Sequence, residues 1–212
     1  MAKYPIFLEM GGRKAVIIGG GPVALQKGQV LLNAGARIVM AAEKASEAAE
    51  LFCQDNHVEL IKSKYVKDYI NEATLVIAAT DNERVNRQVY KDCQELGILC
   101  NVVDAPELCD FFVPAVLKRK DLQIAIGTEG NCPAYAGHIR KKLEEIVSDE
   151  HGDFLCELEM IRKDIRDKVA DQEARKAIMG QLVNDESFEY YKEKGSASWR
   201  DRASKVIDSA KI

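Results

Sequence analysis

The chain has 212 residues, 30 Lys and Arg against 34 Asp and Glu, and 47% hydrophobic side chains. That length suits one ordinary domain with an appendage, or two small domains. The net charge of −4 excludes a bulk-basic nucleic-acid binder, and the mixed apolar and charged composition excludes wholesale disorder. No apolar run approaches the roughly 18 residues needed to cross a bilayer. The start, through Pro5, Ile6, Phe7, Leu8 and Glu9 to Gly11 and Gly12, lacks a signal-peptide core, so a cytoplasmic protein is expected.

Residues 14–113 alternate short apolar runs with helical patterns. Ala15–Ile18 predicts a strand, followed by three glycines. The next helix carries Ala24, Leu25, Gly28, Leu31 and Leu32 on one face and ends at Gly35. A strand is predicted over 37–41. A helix follows over 44–55, with Ala48, Leu51 and Phe52 inward, then a third strand over 58–61. Leu75–Ala79 is a fully apolar strand. A helix over 82–96 follows, and the Thr80-x-x-Glu83 spacing fits a capping box. Ile98–Val103 is a fifth strand. Continuously apolar strands alternating with helices predict a parallel sheet covered on both faces.

The pattern changes near Phe111. Residues 112–117 and 122–127 predict two strands joined by the charged turn Lys118–Asp121. Pro133 can open a helix that runs through Val147. Residues 153–209 are mostly helical, with Leu155, Leu158, Ile161, Ile165 and Val169 at helix spacing. The expected organisation is therefore a sheet domain over 1–113, a small α+β segment over 114–149 and a helical region over 150–212.

The six cysteines form no C-x-x-C pair, and the three histidines form no His-x-x-x-His pair. Disulfides and a locally built zinc site are therefore not expected. Cys53, Cys93 and Cys100 read as small core residues.

Gly19-Gly20-Gly21-Pro22-Val23-Ala24 has the form G-x-G-x-x-A, directly after a strand and opening a helix. In that context it predicts a Rossmann-like domain that binds a dinucleotide. Gly19 permits the tight turn, and Gly21 lets the backbone approach a pyrophosphate. Ala24 lets helix and strand pack closely, and the first N–H groups of the helix face the phosphates. Pro22 and Val23 complete the loop. An acid about 20 residues further on should take the ribose hydroxyls. Glu43 stands there, slightly beyond the ideal strand end. NAD is favoured because no arginine follows the second strand, while Lys44 keeps NADP open. Thr80 and Asn101, at the ends of later strands, face the same crevice. Asp104 lies just past the fifth strand, beside the expected nicotinamide end. On position alone it reads equally well as a turn aspartate before Ala105-Pro106.

Together, Pro5-Ile6-Phe7, Val16 to Ala24, Ala78-Ala79-Thr80-Asp81, Val85-Asn86, Asn101-Val102-Val103-Asp104-Ala105-Pro106 and Phe112-Val113-Pro114-Ala115 form one ordered set. With this set the sequence resembles the precorrin-2 dehydrogenase/sirohydrochlorin ferrochelatase module of siroheme synthase, from residue 4 to about 147. The C-terminal part is similar, more loosely, to the helical region of the stand-alone forms. The length leaves no room for the methyltransferase module of the fused forms. The resemblance implies NAD-dependent oxidation of precorrin-2 to sirohydrochlorin, and in some members insertion of Fe²⁺ by the same site; it leaves open whether this chain chelates iron. It implies an essential carboxylate at Asp104, acting as general base or in metal handling. It also implies a homodimer, formed through the segment that follows the sheet domain. Where the family often has Ser-Ser-Gly-Gly-Thr-Ser-Pro, this chain has Gly127 to Pro133. Thr128 keeps the hydroxyl of a serine that is phosphorylated in at least one member, and Cys132 is a departure.

The implied tetrapyrrole carries eight carboxylates and calls for local positive charge. Residues 114–142 hold six basic side chains against two acidic ones, a net of +4 within a chain of −4. Thr128, Arg140 and Lys141 are the candidate substrate-binding residues, and His138 is a lesser candidate by location. Lys118–Lys120 reads at least equally well as an ordinary hairpin turn. Two other functions remain. A regulatory NAD-sensing module would share the glycine loop, but it would not need the Asn101–Pro106 motif. A structural oligomerisation protein with a degenerate fold would not need Gly19, Gly21 and Ala24 intact.

Overall fold

The structure is a computed structural model that describes residues 3–209. The chain divides into two compact units, Met1–Val113 and Pro114–Ile212. In the first unit the order is β1 (Lys14–Ile18), α1 (Pro22–Asn33), β2 (Arg37–Ala41), α2 (Glu47–Asp55), β3 (Glu59–Ile61), β4 (Leu75–Ala78), α3 (Glu83–Leu96) and β5 (Leu99–Val102). The sheet order is β3-β2-β1-β4-β5, and every pairing is parallel. This is the doubly wound α/β arrangement that the alternating pattern predicts.

Alternation along the strands sorts the core into two layers. Ala15, Ile17, Ile38, Met40 and Ile77 face one side, where Ala24 and Leu31 of α1 and Phe52 and Cys53 of α2 cover them. Val16, Ile18, Val76 and Ala78 face the other, with Val89 and Cys93 of α3 and Cys100 of β5. Gly28 sits where α1 approaches α2, since a Cβ there would lie 3.1 Å from the Phe52 ring.

Two local expectations are corrected. Helix α2 begins three residues later than the pattern suggests, because Ser46 caps it by accepting the Ala49 N–H. Its inward residues are Ala49, Phe52 and Cys53, while Ala48 and Leu51 are exposed. Helix α3 is capped by Asn82, whose Oδ1 accepts from the N–H groups of Arg84 and Val85. Thr80 is therefore not the cap, and the Thr-x-x-Glu spacing has no capping box behind it. A short 3-10 turn over Lys67–Ile70 was not foreseen. Its one fully buried residue, Ile70, stands among polar neighbours and leaves no periodic signal.

The second unit opens with the antiparallel hairpin β6 (Ala115–Arg119) and β7 (Leu122–Ile126). Four helices follow: α4 (Pro133–Ile146), α5 (Asp149–Lys168), α6 (Gln172–Leu182) and α7 (Asp185–Ser209). Helix α7 is broken at Gly195, where φ is 78°. The core gathers Phe154, Ile161 and Ile165 of α5, Ile178 of α6, and Trp199 and Ile207 of α7. Trp199 is fully buried, and its indole N–H donates to Ser187 Oγ at 2.8 Å, as a buried donor requires. Helix α5 also meets the hairpin. A Cβ on Gly152 would lie 2.5 Å from the Arg119 carbonyl oxygen, so only glycine fits there. No helix among the described residues is long and apolar enough to cross a membrane.

Candidate active site

The parallel order makes β1 and β4 neighbours that are reached by connections on opposite faces. A crevice therefore opens beyond their carboxyl ends. The first residues past the strands stay in the ladder: Gly19 N–H bonds to Ala41 O, Ala79 N–H to Ile18 O and Val103 N–H to Ala78 O, at 2.8–2.9 Å. This fixes the starting point of each loop that borders the crevice.

Gly19 turns with φ 133°, and a Cβ there would lie 2.2 Å from Ala79 O. A side chain at Gly20 would strike Ala45 and Ala42. The glycine loop is thus wedged between the ends of β4 and β2. Gly21 differs. It is the N-cap of α1 with extended backbone, and a Cβ there meets nothing within 4 Å. Side chains cap α2 and α3, but none caps α1, whose first residue is Pro22. Val23 is exposed, while Ala24 is fully buried against the sheet. An uncapped helix start facing open space fits the phosphates of a dinucleotide.

Glu43 and Lys44 lie in the exposed bend after β2. The bend adjoins the glycine loop, because Ser46 N–H donates to Gly20 O at 2.8 Å. Thr80 is half-buried at the end of β4. Its hydroxyl donates to Asn86 Oδ1 at 2.7 Å, and Asn86 Nδ2 returns a bond to Thr80 O at 2.9 Å. The Asn86 of the Val85-Asn86 motif thus pins the β4 loop to α3, a role that the sequence reading did not give it.

Asp104 is exposed and occupies the third position of a turn closed by Ala105 N–H to Val102 O at 3.3 Å. Its φ is 61°. A left-handed third residue is the type II pattern, which favours glycine or asparagine. Asn101 is buried, and its Nδ2 is directed within the fold, to Phe111 O at 2.9 Å and Cys109 Sγ at 3.4 Å. Asp110 accepts the Cys100 N–H at 2.9 Å, and its own N–H donates to Cys100 O. No spacing in the sequence points to this return segment over 109–111.

The remaining candidates lie in the second unit. Thr128 follows β7, and its hydroxyl accepts the Cys132 N–H just before α4. Arg140 is paired along α4 with Glu144, while Lys141 is exposed. Arg119 pairs with Asp149 at 3.2 Å, and Lys120 pairs with Asp153. Half of the six basic groups between residues 114 and 142 are thus already matched by acids. His138 is exposed and stacks loosely on Tyr135. Among the described residues, no three His, Cys, Asp or Glu side chains gather as a metal site would need.

The fold and the glycine loop define a dinucleotide-binding protein. Residues 6–115 match the family model described as NAD(P)-binding. The siroheme synthase of Psychrobacter cryohalolentis is 35% identical over 182 residues, which cover 86% of this chain and 35% of that protein. The siroheme synthase of Thioalkalivibrio sulfidiphilus is 31% identical over 207 residues, or 97% of this chain and 42% of that one. The chain thus spans well under half the length of these curated relatives. The solved structure of SirC, a precorrin-2 dehydrogenase, superposes with a TM-score of 0.78 at 19% identity, covering 96% of this chain and all of that one. The chain belongs to the NAD(P)-binding family, and over most of its length it is similar to siroheme synthases, as its motifs lead one to expect.

Proposed function

We propose that this protein oxidises precorrin-2 to sirohydrochlorin with NAD⁺. The observation that carries this reading is the juxtaposition of an uncapped, open α1 start with a carboxylate displayed just past β5. The relatives support the substrate: siroheme synthases 31% and 35% identical are among them. The reaction removes one hydride and one proton from the tetrapyrrole. NAD⁺ is the hydride acceptor. Gly19, Gly21, Pro22, Val23 and Ala24 form the cradle that would hold its pyrophosphate, with the helix dipole favouring the negative charge. Glu43 would take the ribose hydroxyls, which favours NAD over NADP, and Lys44 flanks it. Thr80 and Asn101 shape the crevice wall. Asp104, exposed to solvent, accepts the ring proton and passes it to water. Thr128, Arg140 and Lys141 would bind substrate carboxylates.

The same reading makes the protein a cytoplasmic homodimer. The two-stranded β6–β7 sheet supports the dimer, because among the described residues neither of its edges has a strand neighbour and Val116 is exposed. Fe²⁺ insertion into sirohydrochlorin is a further reaction that a carboxylate at Asp104 could assist. The test follows the absorbance change from precorrin-2 to sirohydrochlorin with NAD⁺, then with NADP⁺. Turnover that is faster with NAD⁺, and lost in Asp104→Ala with NAD⁺ affinity retained, supports the reading. No turnover by the folded protein overturns it. Sirohydrochlorin with Fe²⁺, measured against the uncatalysed rate, decides the second reaction.

A further inference from the structure

Asp104 is held in a conformation that an aspartate does not favour, so something must keep it there. The loop that carries it is closed at both ends. At its base, the Asn101 and Cys109 backbones form an antiparallel bridge, and Asp110 bonds Cys100 in both directions. Inside the loop lies the half-buried Cys109 thiol. Its sulfur is 3.2 Å from Val102 O and 3.3 Å from Ala105 O, the first and last residues of the turn, and 3.4 Å from Asn101 Nδ2. A thiol has a single proton to donate and a sulfur able to accept weakly. It can bind one or both carbonyls while receiving the Asn101 amide. Burial pushes the thiol up from its ordinary range, so it stays an S–H donor at neutral pH.

We propose that Cys109 is a positioning residue for Asp104: its thiol ties the two ends of the Val102–Ala105 turn together and so fixes the direction of the carboxylate. This rests on the reading of Asp104 as the proton acceptor. Cys109 touches neither substrate nor cofactor in this role. Its effect passes through two backbone carbonyls. The Asn101 amide, donated to Cys109 and Phe111, belongs to the same clamp.

Three variants test it. Cys109→Ala removes the donor and leaves little else changed. Cys109→Ser keeps a donor of the same branching. Positioning predicts that Cys109→Ala lowers kcat about 10-fold, short of the loss that misplacing a group by a full ångström can bring. The KM for precorrin-2 and the affinity for NAD⁺ stay unchanged, and Cys109→Ser recovers most of the rate. A packing role ranks the two the other way, since serine buries a more polar group than alanine. Amide exchange over residues 103–108 should quicken in Cys109→Ala and return in Cys109→Ser. Wild-type kcat in Cys109→Ala, or a serine variant no better than the alanine one, overturns the proposal. Should Cys109→Ala fail to fold, exchange in the wild type decides: the Ala105 amide must exchange at least about tenfold more slowly than the Asp121 amide in the hairpin turn, and equal rates overturn the clamp. Asp104→Ala separates the two levels. If it turns over at the wild-type rate, the reading of Asp104 fails, whatever Cys109 does, and the proposal falls with it.

Discussion

Asp104 occupies a backbone position shaped for glycine. Left-handed backbone costs an ordinary residue about 1–2 kcal/mol, and somewhat less for an aspartate. Asp104→Gly should therefore raise the melting temperature slightly while abolishing turnover. Calorimetry beside the precorrin-2 assay measures both, and a variant that is less stable would show that the turn carries no strain. Gly21 gives the converse case. Its backbone is extended and a Cβ meets nothing, so Gly21→Asp should fold normally. The new carboxylate would stand where the pyrophosphate belongs, and NAD⁺ affinity should fall at least about 100-fold by titration calorimetry, or about 2.7 kcal/mol. The turn of the glycine loop was legible because it stands at a fixed distance from a strand end, whereas Asp104 was singled out by the resemblance, its position alone fitting a turn aspartate equally well. The Cys109–Asp110 return was not legible, since its contacts depend on how the chain doubles back after Pro106, and no spacing rule encodes that.

Elements in the first unit could be read because β4 is wholly apolar, β1 and β2 are apolar after a first charged residue, and the helices carry one apolar stripe. Errors arose where short alanine-rich segments give no strong phase, as in α2, where Ala48 and Ala49 look alike in sequence but the first is exposed and the second buried. The cap of α3 was misjudged by two residues, because Thr80 and Asn82 can both accept backbone N–H groups and only the path of the chain chooses between them. In the second unit the contact of α5 with the hairpin rests on Gly152. In a helix pattern a lone glycine reads as a mild weakness. Here a single methyl group would collide with the Arg119 backbone. Gly152→Ala should destabilise this unit by about 1–3 kcal/mol through overpacking. Denaturant unfolding followed by Trp199 fluorescence reports it, and a neutral effect would mean that α5 and β6 can move apart freely.

At the scale of the molecule, one ion pair ties distant parts of the second unit. The buried Glu157 carboxylate accepts two bonds from the Arg200 guanidinium, at 2.6 and 2.9 Å, and one from Ser196 just after the break at Gly195. The Arg200 bond holds the Glu157 carboxyl below its ordinary range, outweighing burial, which pushes the other way. The folded state therefore binds fewer protons at this group than the unfolded chain. Its contribution is fully present above the ordinary glutamate value of about 4.3 and is lost as the pH falls below that, through the lowered folded value. Thermal unfolding between about pH 6 and pH 3 should show a steeper loss for the wild type than for Glu157→Gln; parallel curves would remove Glu157 from the account.

The strand order has a consequence for the chain as it leaves the ribosome. β1 is made before the other four strands and lies at the centre of the sheet, with β2 and β3 on one side and β4 and β5 on the other. The central strand and the two on one side of it, with the glycine loop between β1 and α1, are complete once residue 61 has emerged. Some forty further residues must follow before the turn bearing Asp104 exists. At about 5–20 residues per second this is an interval of seconds. During it the exposed edge of β1 awaits β4, and the nucleotide-facing half of the sheet is born before the half that displays the carboxylate.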